Sequence, residues 1–247
     1  MLVQVLLTSV VSIYISIKEK DEILAGKFAG ATFQVATLAA GATSVCVFLL
    51  SSPIAHFLAP SYSEELSQQL STYLRIFSPL LILFVWMAVF NALLNANKRF
   101  IPGQLEGLYQ SVILIVMASL FPVWLGVESL TVGYWLYALF TVVILGCQAH
   151  SYFKKSRGNP FNSPHIKSLF TMMGPLLIGY GAVYVNQMVD KILVSGLESG
   201  TITAMSYASV IVNLVGTLIS SLSSVLYAHM AEYIAQRRED QVTQLVE

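Results

Sequence analysis

The chain is poor in charged residues. Of its 247 residues, 13 are Lys or Arg and 13 are Asp or Glu, so charged side chains make up 11% of the sequence and the net charge is zero. An ordinary soluble domain carries about 25% charged residues, which cover its surface. The sequence also lacks the excess of basic residues that nucleic-acid binding requires. The shortage of charge therefore excludes most soluble proteins and gives no reason to expect a nucleic-acid partner.

Sequence motifs of soluble enzymes are also absent. The sequence contains no Gly-rich phosphate loop, HExxH, CxxC or GxSxG pattern. Its two cysteines, Cys46 and Cys147, lie in apolar stretches, where we expect them to be small buried side chains rather than disulfide partners or metal ligands. The sequence therefore predicts a protein that is not an enzyme, with no catalytic residues, no cofactor and no metal site.

What the chain does contain is long apolar stretches. Seven of them have no Lys, Arg, Asp or Glu: residues 1–17, 28–63, 76–97, 107–127, 129–153, 168–189 and 199–231. A helix needs about 20 apolar residues to cross the ~30 Å hydrocarbon core, and a charge at its centre is costly. We therefore predict an all-α polytopic membrane protein with seven transmembrane helices. The second stretch is too long for one span, so we expect its helix to break near Ser51–Pro53.

The basic residues are distributed unevenly over the gaps between these stretches. Lys and Arg accumulate in short cytoplasmic loops. Taking alternate gaps, only Arg75 and Lys191 fall on one side, while the other side holds Lys18, Lys20, Lys27, Lys98, Arg99, Lys154, Lys155, Arg157, Lys167, Arg237 and Arg238. This bias predicts a multi-pass membrane protein whose N-terminus lies outside and whose C-terminus is cytoplasmic. Such an N-terminus leads us to expect a further helix upstream.

The spans fall into two groups. We predict an N-terminal group of five helices over residues 1–150, a cytoplasmic linker over residues 151–167, and two further helices followed by a tail over residues 168–247. The sixth span carries Gly174, Pro175, Gly179 and Gly181. A proline removes a helix hydrogen bond and glycines add freedom, so these four residues are a candidate hinge, although both types are also common in inert membrane helices.

Polar side chains inside spans are the best candidates for function, because they are costly there. Asn186 and Asp190 share one helix face near the outer end of the sixth span, and Gln187 and Lys191 lie on the adjacent strip. These four residues either line a water-filled cavity and bind substrate or mark the membrane interface.

A second group of polar candidates belongs to the third span. Asn91 and Asn95 repeat the four-residue spacing and either bond to neighbouring helices or face a cavity. Arg75, at the outer side, is a candidate contact for an anionic head group or an interface anchor. All three are candidate substrate-binding residues.

Several segments resemble one known family. Asn91-Ala92-Leu93-Leu94-Asn95-Ala96, followed by Lys98-Arg99-Phe100-Ile101-Pro102, resembles the junction of the third and fourth helices of the MurJ/MviN lipid II flippases. The stretch from Val185 to Leu197 resembles the exit of their seventh helix, and Ser206-Tyr207-Ala208 and Ser224-Val225-Leu226 resemble parts of their eighth. The resemblance covers nearly the whole chain and matches helices two to eight of a fourteen-helix, two-lobe transporter of the MOP exporter superfamily.

This resemblance implies a location in the bacterial inner membrane and a function. The family moves an undecaprenyl-diphosphate-linked peptidoglycan precursor from the inner to the outer leaflet by alternating access, so the implied partners are the bilayer and this lipid-linked sugar; a coupling ion stays unknown. The family usually has a cavity Arg soon after the Tyr-Ala of helix eight, where this chain has Ser209-Val210-Ile211. Another lipid-linked oligosaccharide therefore stays open as cargo.

Two other classes of protein share parts of this pattern. A drug or cation antiporter of the same superfamily would have the same helices and a carboxylate in its cavity, for which Asp190 is the nearby candidate. A seven-helix receptor would have the same outside-to-inside topology. It would form a complete bundle from these residues alone.

Overall fold

The described part of the chain is helical. The structure, a computed structural model, describes residues 2–121, 124, 126, 128–153, 164–197 and 200–213. Over these residues no strand occurs, which confirms the predicted all-α class. Contacts divide the chain into two compact units, Met1–Ile192 and Leu193–Glu247. The helices are α1 Leu2–Lys18, α2 Glu22–Leu49, α3 Ser51–Leu58, α4 Glu64–Phe77, α5 Leu80–Ala96, α6 Ile101–Gln104, α7 Glu106–Leu120, α8 Glu128–Ala149 with a 3-10 turn at His150–Tyr152, α9 Pro164–Val194 and α10 over residues 201–213.

Several of these helices are long and apolar enough to cross a bilayer. Four meet this criterion by length and composition, Glu22–Leu49, Ile101–Leu120, Glu128–Tyr152 and His165–Val194, and the bent pair of α4 and α5 makes a fifth. The apolar helix α1 is shorter, and most of the seventh predicted span lies outside the described residues. The chain is thus a polytopic membrane protein.

Two breaks shape one end of the first unit. The predicted break near Ser51–Pro53 is present, because α2 ends at Leu49 and α3 begins at Ser51. A helix that the sequence did not predict, α4, precedes the apolar helix α5: it begins at Glu64, where Ser63 caps the helix by accepting a hydrogen bond from the Leu66 amide. The axis then turns by 43° at the break between α4 and α5, which contains Pro79.

Helix α5 is the central element of this unit. It packs against α1, α2 and α8, and α8 also packs against α7. Helix α5 carries no charged residue, and apolar residues lie on all of its sides. It can therefore be buried by neighbouring helices on every side. One apolar cluster joins α1, α2, α5 and the start of α9, and a second joins α5 and α8. The Asn side chains of α5 are therefore held between several helices.

Both cysteines depart from expectation. Cys46 and Cys147 are free thiols on the exposed surface of the bundle rather than buried side chains. The reason is that outward faces of membrane helices are as apolar as inward ones, so an apolar surrounding sequence does not predict burial. Of the predicted linker, residues 154–163 lie outside the described residues, and α9 begins at Pro164. The division into two lobes stays a prediction.

Candidate functional site

The polar strip of α9 lies on an exposed helix face. Asn186, Gln187 and Lys191 are exposed and Asp190 is half-buried. Within the described residues, these four side chains form no hydrogen bond or ion pair with another side chain. Val185 and Val189, beside them, are 59% and 46% exposed. The C-terminal half of α9 therefore presents both apolar groups and polar groups without partners to its surroundings.

The depth of these groups in the bilayer follows from helix geometry. Lys167 and Asp190 are 23 residues apart, a rise of about 35 Å at 1.5 Å per residue. The hydrocarbon core is about 30 Å thick. With Lys167 at one boundary, Asp190 lies beyond the opposite boundary, and Asn186, 19 residues from Lys167 and so about 29 Å along the axis, lies just inside it. Lipid offers Asn186 no hydrogen bond, so this side chain requires water or a polar partner.

The candidate hinge residues lie in one uninterrupted helix. The α-helical assignment of α9 continues through Pro175 from Pro164 to Val194. A methyl group added at Gly174 or Gly179 would meet no atom within 4 Å. These two glycines therefore do not serve close packing among the described residues.

On α5, Asn91 belongs to a polar cluster that joins three helices. Its Nδ2 donates to Glu106 Oε2 of α7 at 3.4 Å, and the hydroxyl of Tyr137 on α8 donates to Glu106 Oε1 at 3.0 Å. Asn91 was predicted either to bond to a neighbouring helix or to face a cavity, and the structure shows a bond to a neighbouring helix. Neither Glu106 nor Tyr137 was predicted to be a site residue, although a lone carboxylate directly before the apolar stretch 107–127 was a signal that could have found Glu106.

Some buried polar atoms on α5 and α2 have no partner among the described residues. Asn91 Oδ1 and Asn95 Oδ1 are buried without a hydrogen-bond partner, as is Thr32 Oγ1 on α2. Gly103 lies so close to Asn91 that an added Cβ would overlap Oδ1 and approach Cγ to 2.6 Å. The absence of a side chain at Gly103 is what lets α6 and α5 approach here.

A tight turn after α5 positions two cations at the end of the bundle that was predicted to be cytoplasmic. The Lys98 amide donates to Asn95 O at 3.0 Å and the Arg99 amide to Leu94 O at 2.9 Å, which is the Schellman pattern. Lys98 takes the left-handed position of that motif, with φ of 60°. Both cations are exposed, and Lys18 at the end of α1 donates to Asn97 Oδ1 in the same turn.

At the other end of α5, Arg75 is held by the α3–α4 pair. Its Nε donates to Ser51 Oγ at 2.7 Å, and Ser71 Oγ donates to the same oxygen at 3.2 Å. Arg75 is therefore fixed against α3 and forms, among the described residues, no hydrogen bond with the α9 strip. The structure likewise joins neither Asn91 nor Asn95 to that strip by a hydrogen bond.

An apolar cavity lies between α1, α2, α5 and the start of α9. Its volume is about 370 Å³ and its lining includes Leu6, Ala36, Phe84 and Met173. Such a lining cannot solvate a sugar or a diphosphate. No three His, Cys, Asp or Glu side chains lie together as metal ligands in the part of the chain that the structure describes.

Comparison with known proteins identifies the family. A search of curated proteins finds no match to this chain. A model of the family described as lipid II flippase MurJ matches residues 5–247, which is nearly the entire length and agrees with the resemblance of the α5–α6 junction and of the α9 exit. The match, together with the all-α membrane-spanning architecture, places this chain in the MurJ family of lipid II flippases, whose members are transporters rather than enzymes.

Proposed function

We propose that the protein moves an undecaprenyl-diphosphate-linked peptidoglycan precursor from the inner to the outer leaflet by alternating access between two lobes. The observation that carries this proposal is the exposed Asn186 on α9, which has no partner among the described residues. By the helical rise from Lys167, this side chain lies just inside the hydrocarbon boundary, with Asp190 one turn further along. An amide facing lipid would cost free energy, whereas one facing a water-filled cavity costs little. We therefore assign Asn186, Gln187, Asp190 and Lys191 to the wall of the transport cavity.

The chemistry of the cargo explains why such a cavity is needed. A diphosphate linked to sugars is large and charged, so it cannot cross hydrocarbon without a hydrated path. Its phosphate oxygens accept charge-assisted hydrogen bonds, for which Lys191 is the cation on the α9 strip. At the position where relatives usually have a cavity Arg, Ser209 donates to Met205 O of its own helix at 2.9 Å. The cation that contacts the diphosphate must then come from elsewhere on the cavity wall.

A labelling experiment tests the cavity. In a variant from which Cys46 and Cys147 have been removed, cysteine at residue 186 should react with a membrane-impermeant maleimide, because water reaches this position. Cysteine at residue 185, in place of the neighbouring exposed Val185, is the matched control and should react much more slowly. Added lipid II should slow the reaction at residue 186. Equal rates at both residues would contradict a hydrated cavity.

The orientation proposed from the basic residues has its own test. Cysteine at residue 63, before α4, should react only with reagent added outside intact cells, because Ser63 lies on the side poor in basic residues. Cysteine at residue 156, in place of Ser156 in the predicted linker, should react only after the membrane is permeabilised. Labelling of residue 156 in intact cells would reverse the orientation.

We also propose that α9 bends during transport at Gly174, Pro175, Gly179 and Gly181. Space around Gly174 and Gly179 leaves the backbone free to move, and Pro175 removes one hydrogen bond from the helix. The variant Pro175→Ala restores that donor and should shift the balance between inward-open and outward-open states. Distances between spin labels on the two lobes measure this balance. Populations unchanged from those of the parent protein would rule out the hinge.

A further inference from the structure

A polar cavity lies between α3 and α4, at the opposite end of α5 from Lys98 and Arg99. Its volume is about 270 Å³, and all eight residues that line it are polar or charged, in contrast to the apolar cavity described above. Its lining includes the cation Arg75 and the imidazole of His56. A cavity so polar at the end of an apolar bundle is suited to a charged or strongly hydrated ligand.

The two helices that form this cavity are held together by small residues. Ser51 and Ala55 of α3 and Ser67 and Ser71 of α4 are buried, and such residues let helices approach closely. Ser51 Oγ accepts hydrogen bonds from Ser71 Oγ and from Arg75 Nε. The interface therefore fixes the guanidinium group at the cavity wall before any ligand binds.

The fixed guanidinium keeps most of its hydrogen-bonding capacity. A guanidinium has five N–H donors, and Nε supplies only one of them to Ser51. Among the described residues, no carboxylate forms an ion pair with Arg75. Ser67 Oγ lies 3.4 Å from Nδ1 of His56, which leaves the other ring nitrogen of this lining residue for a ligand. A guanidinium fork beside an imidazole and several hydroxyl groups is an arrangement that binds phosphate.

The volume of the cavity restricts the ligand further. Pockets for drug-sized ligands measure about 300–1,000 Å³, so the cavity of about 270 Å³ is too small for a head group of two sugars with a peptide. A single phosphate with a glycerol unit is of suitable size. Glu64 is exposed and also lines the cavity. Its carboxylate repels an anion, so the affinity of the cavity for a phosphate should be moderate.

We propose that the α3–α4 cavity binds the phosphate of an anionic phospholipid head group. The proposal goes beyond the transport of the sugar precursor and shares with the proposed function only the orientation, which places this cavity at the outer leaflet. A lipid phosphate bound by Arg75 would hold the bent α4–α5 segment at the membrane surface. The site is separate from the α9 strip and does not carry the cargo.

Native mass spectrometry of the purified full chain in uncharged detergent tests this proposal. Phosphatidylglycerol should bind, whereas diacylglycerol, which lacks the phosphate, and inorganic phosphate, which lacks the lipid, should bind much more weakly. The variant Arg75→Gln should weaken phosphatidylglycerol binding about tenfold, because a hydrogen bond to a charged group contributes at least about one power of ten in affinity. Arg99→Gln, at the opposite end of α5, is the matched control and should bind as the parent protein does.

A second variant separates binding from folding. Glu64→Gln removes the opposing charge from an exposed position and should raise the affinity about two- to fivefold, as expected for one partly screened charge. A purely structural cavity would not respond in this way. Equal effects of Arg75→Gln and Arg99→Gln, or no gain from Glu64→Gln, would overturn the site. Equal affinity for diacylglycerol or inorganic phosphate would overturn the assignment to a lipid phosphate. Since the readout is phospholipid binding, either failure would leave the proposed transport function intact.

Discussion

Replacing both Asn186 and Asp190 by Ala should reduce transport of lipid II at least about tenfold. The reason is that these two side chains share one face of α9 and have no partner within the described residues, so their hydrogen-bonding capacity is free for cargo or cavity water. A hydrogen bond to a charged group contributes about 1.5–3 kcal/mol, and each 1.4 kcal/mol corresponds to a factor of ten. The rate of lipid II movement across vesicles that contain the protein measures the effect.

A matched control comes from the same helix. Thr171 is exposed, and its hydroxyl donates only to Lys167 O within α9, so Thr171→Ala should transport at the parent rate. The conservative variant Asp190→Asn keeps the shape of the side chain and removes the charge, which separates a need for charge from a need for a polar group. If the double Ala variant transports as fast as Thr171→Ala, the α9 strip does not belong to the transport path.

The variant Gly103→Ala should destabilise the protein by about 1–3 kcal/mol, the usual cost of overpacking. An added Cβ would overlap Asn91 Oδ1, so Asn91 would have to move and its hydrogen bond to Glu106 would break. Gly107, four residues further on, is the matched control because a Cβ there meets no atom within 4 Å. Gly107→Ala should be neutral or stabilise by up to about 1 kcal/mol. The free energy of unfolding in mixed micelles measures the difference.

The double variant Asn91→Ala with Gly103→Ala checks the cause. Without the amide of Asn91, the clash disappears, so the two substitutions together should cost less than the sum of their separate effects. Additive costs would show that the close approach at Gly103 does not involve Asn91. Equal stability of Gly103→Ala and Gly107→Ala would show that the overlap is relieved without cost.

Much of the fold could be predicted from the sequence because charge and proline mark the ends of membrane helices. The break after Leu49 follows from a stretch too long for one span, and the cations Lys98 and Arg99 mark the end of α5. The extension of α4 back to Glu64 was not predicted, because its polar residues resemble a loop when the apolar pattern is the main guide. They form instead a capped helix that packs on α3.

The polar cluster around Glu106 could not be predicted in detail. A helix that is apolar on all sides gives no sign of which face meets a neighbour, so rotation of α5, α7 and α8 about their axes is left open by the sequence. That rotation decides whether Asn91 meets Glu106 or faces a cavity. For the same reason, the spacing of Asn186 and Asp190 predicted a shared face but not what that face contacts.

The left-handed backbone conformation of Lys98 also could not be predicted from the sequence. Gly is the usual residue at this position of the motif, because a side chain there is sterically disfavoured. The turn forms with Lys because Asn95 O and Leu94 O both receive hydrogen bonds from it. The two hydrogen bonds that close the end of α5 thus outweigh the unfavourable backbone conformation of Lys98.

Transport of lipid II by this protein can be tested directly by measuring lipid II at the outer face of bacterial cells that depend on it. The resident flippase is depleted, the gene is expressed with its natural upstream and downstream sequence, and an external enzyme that cleaves only outward-facing lipid II reports the location of the precursor. We predict that the precursor becomes accessible to the enzyme when the protein is present in the membrane. Precursor that accumulates on the cytoplasmic side, despite normal amounts of the protein in the membrane, would show that the protein does not move lipid II.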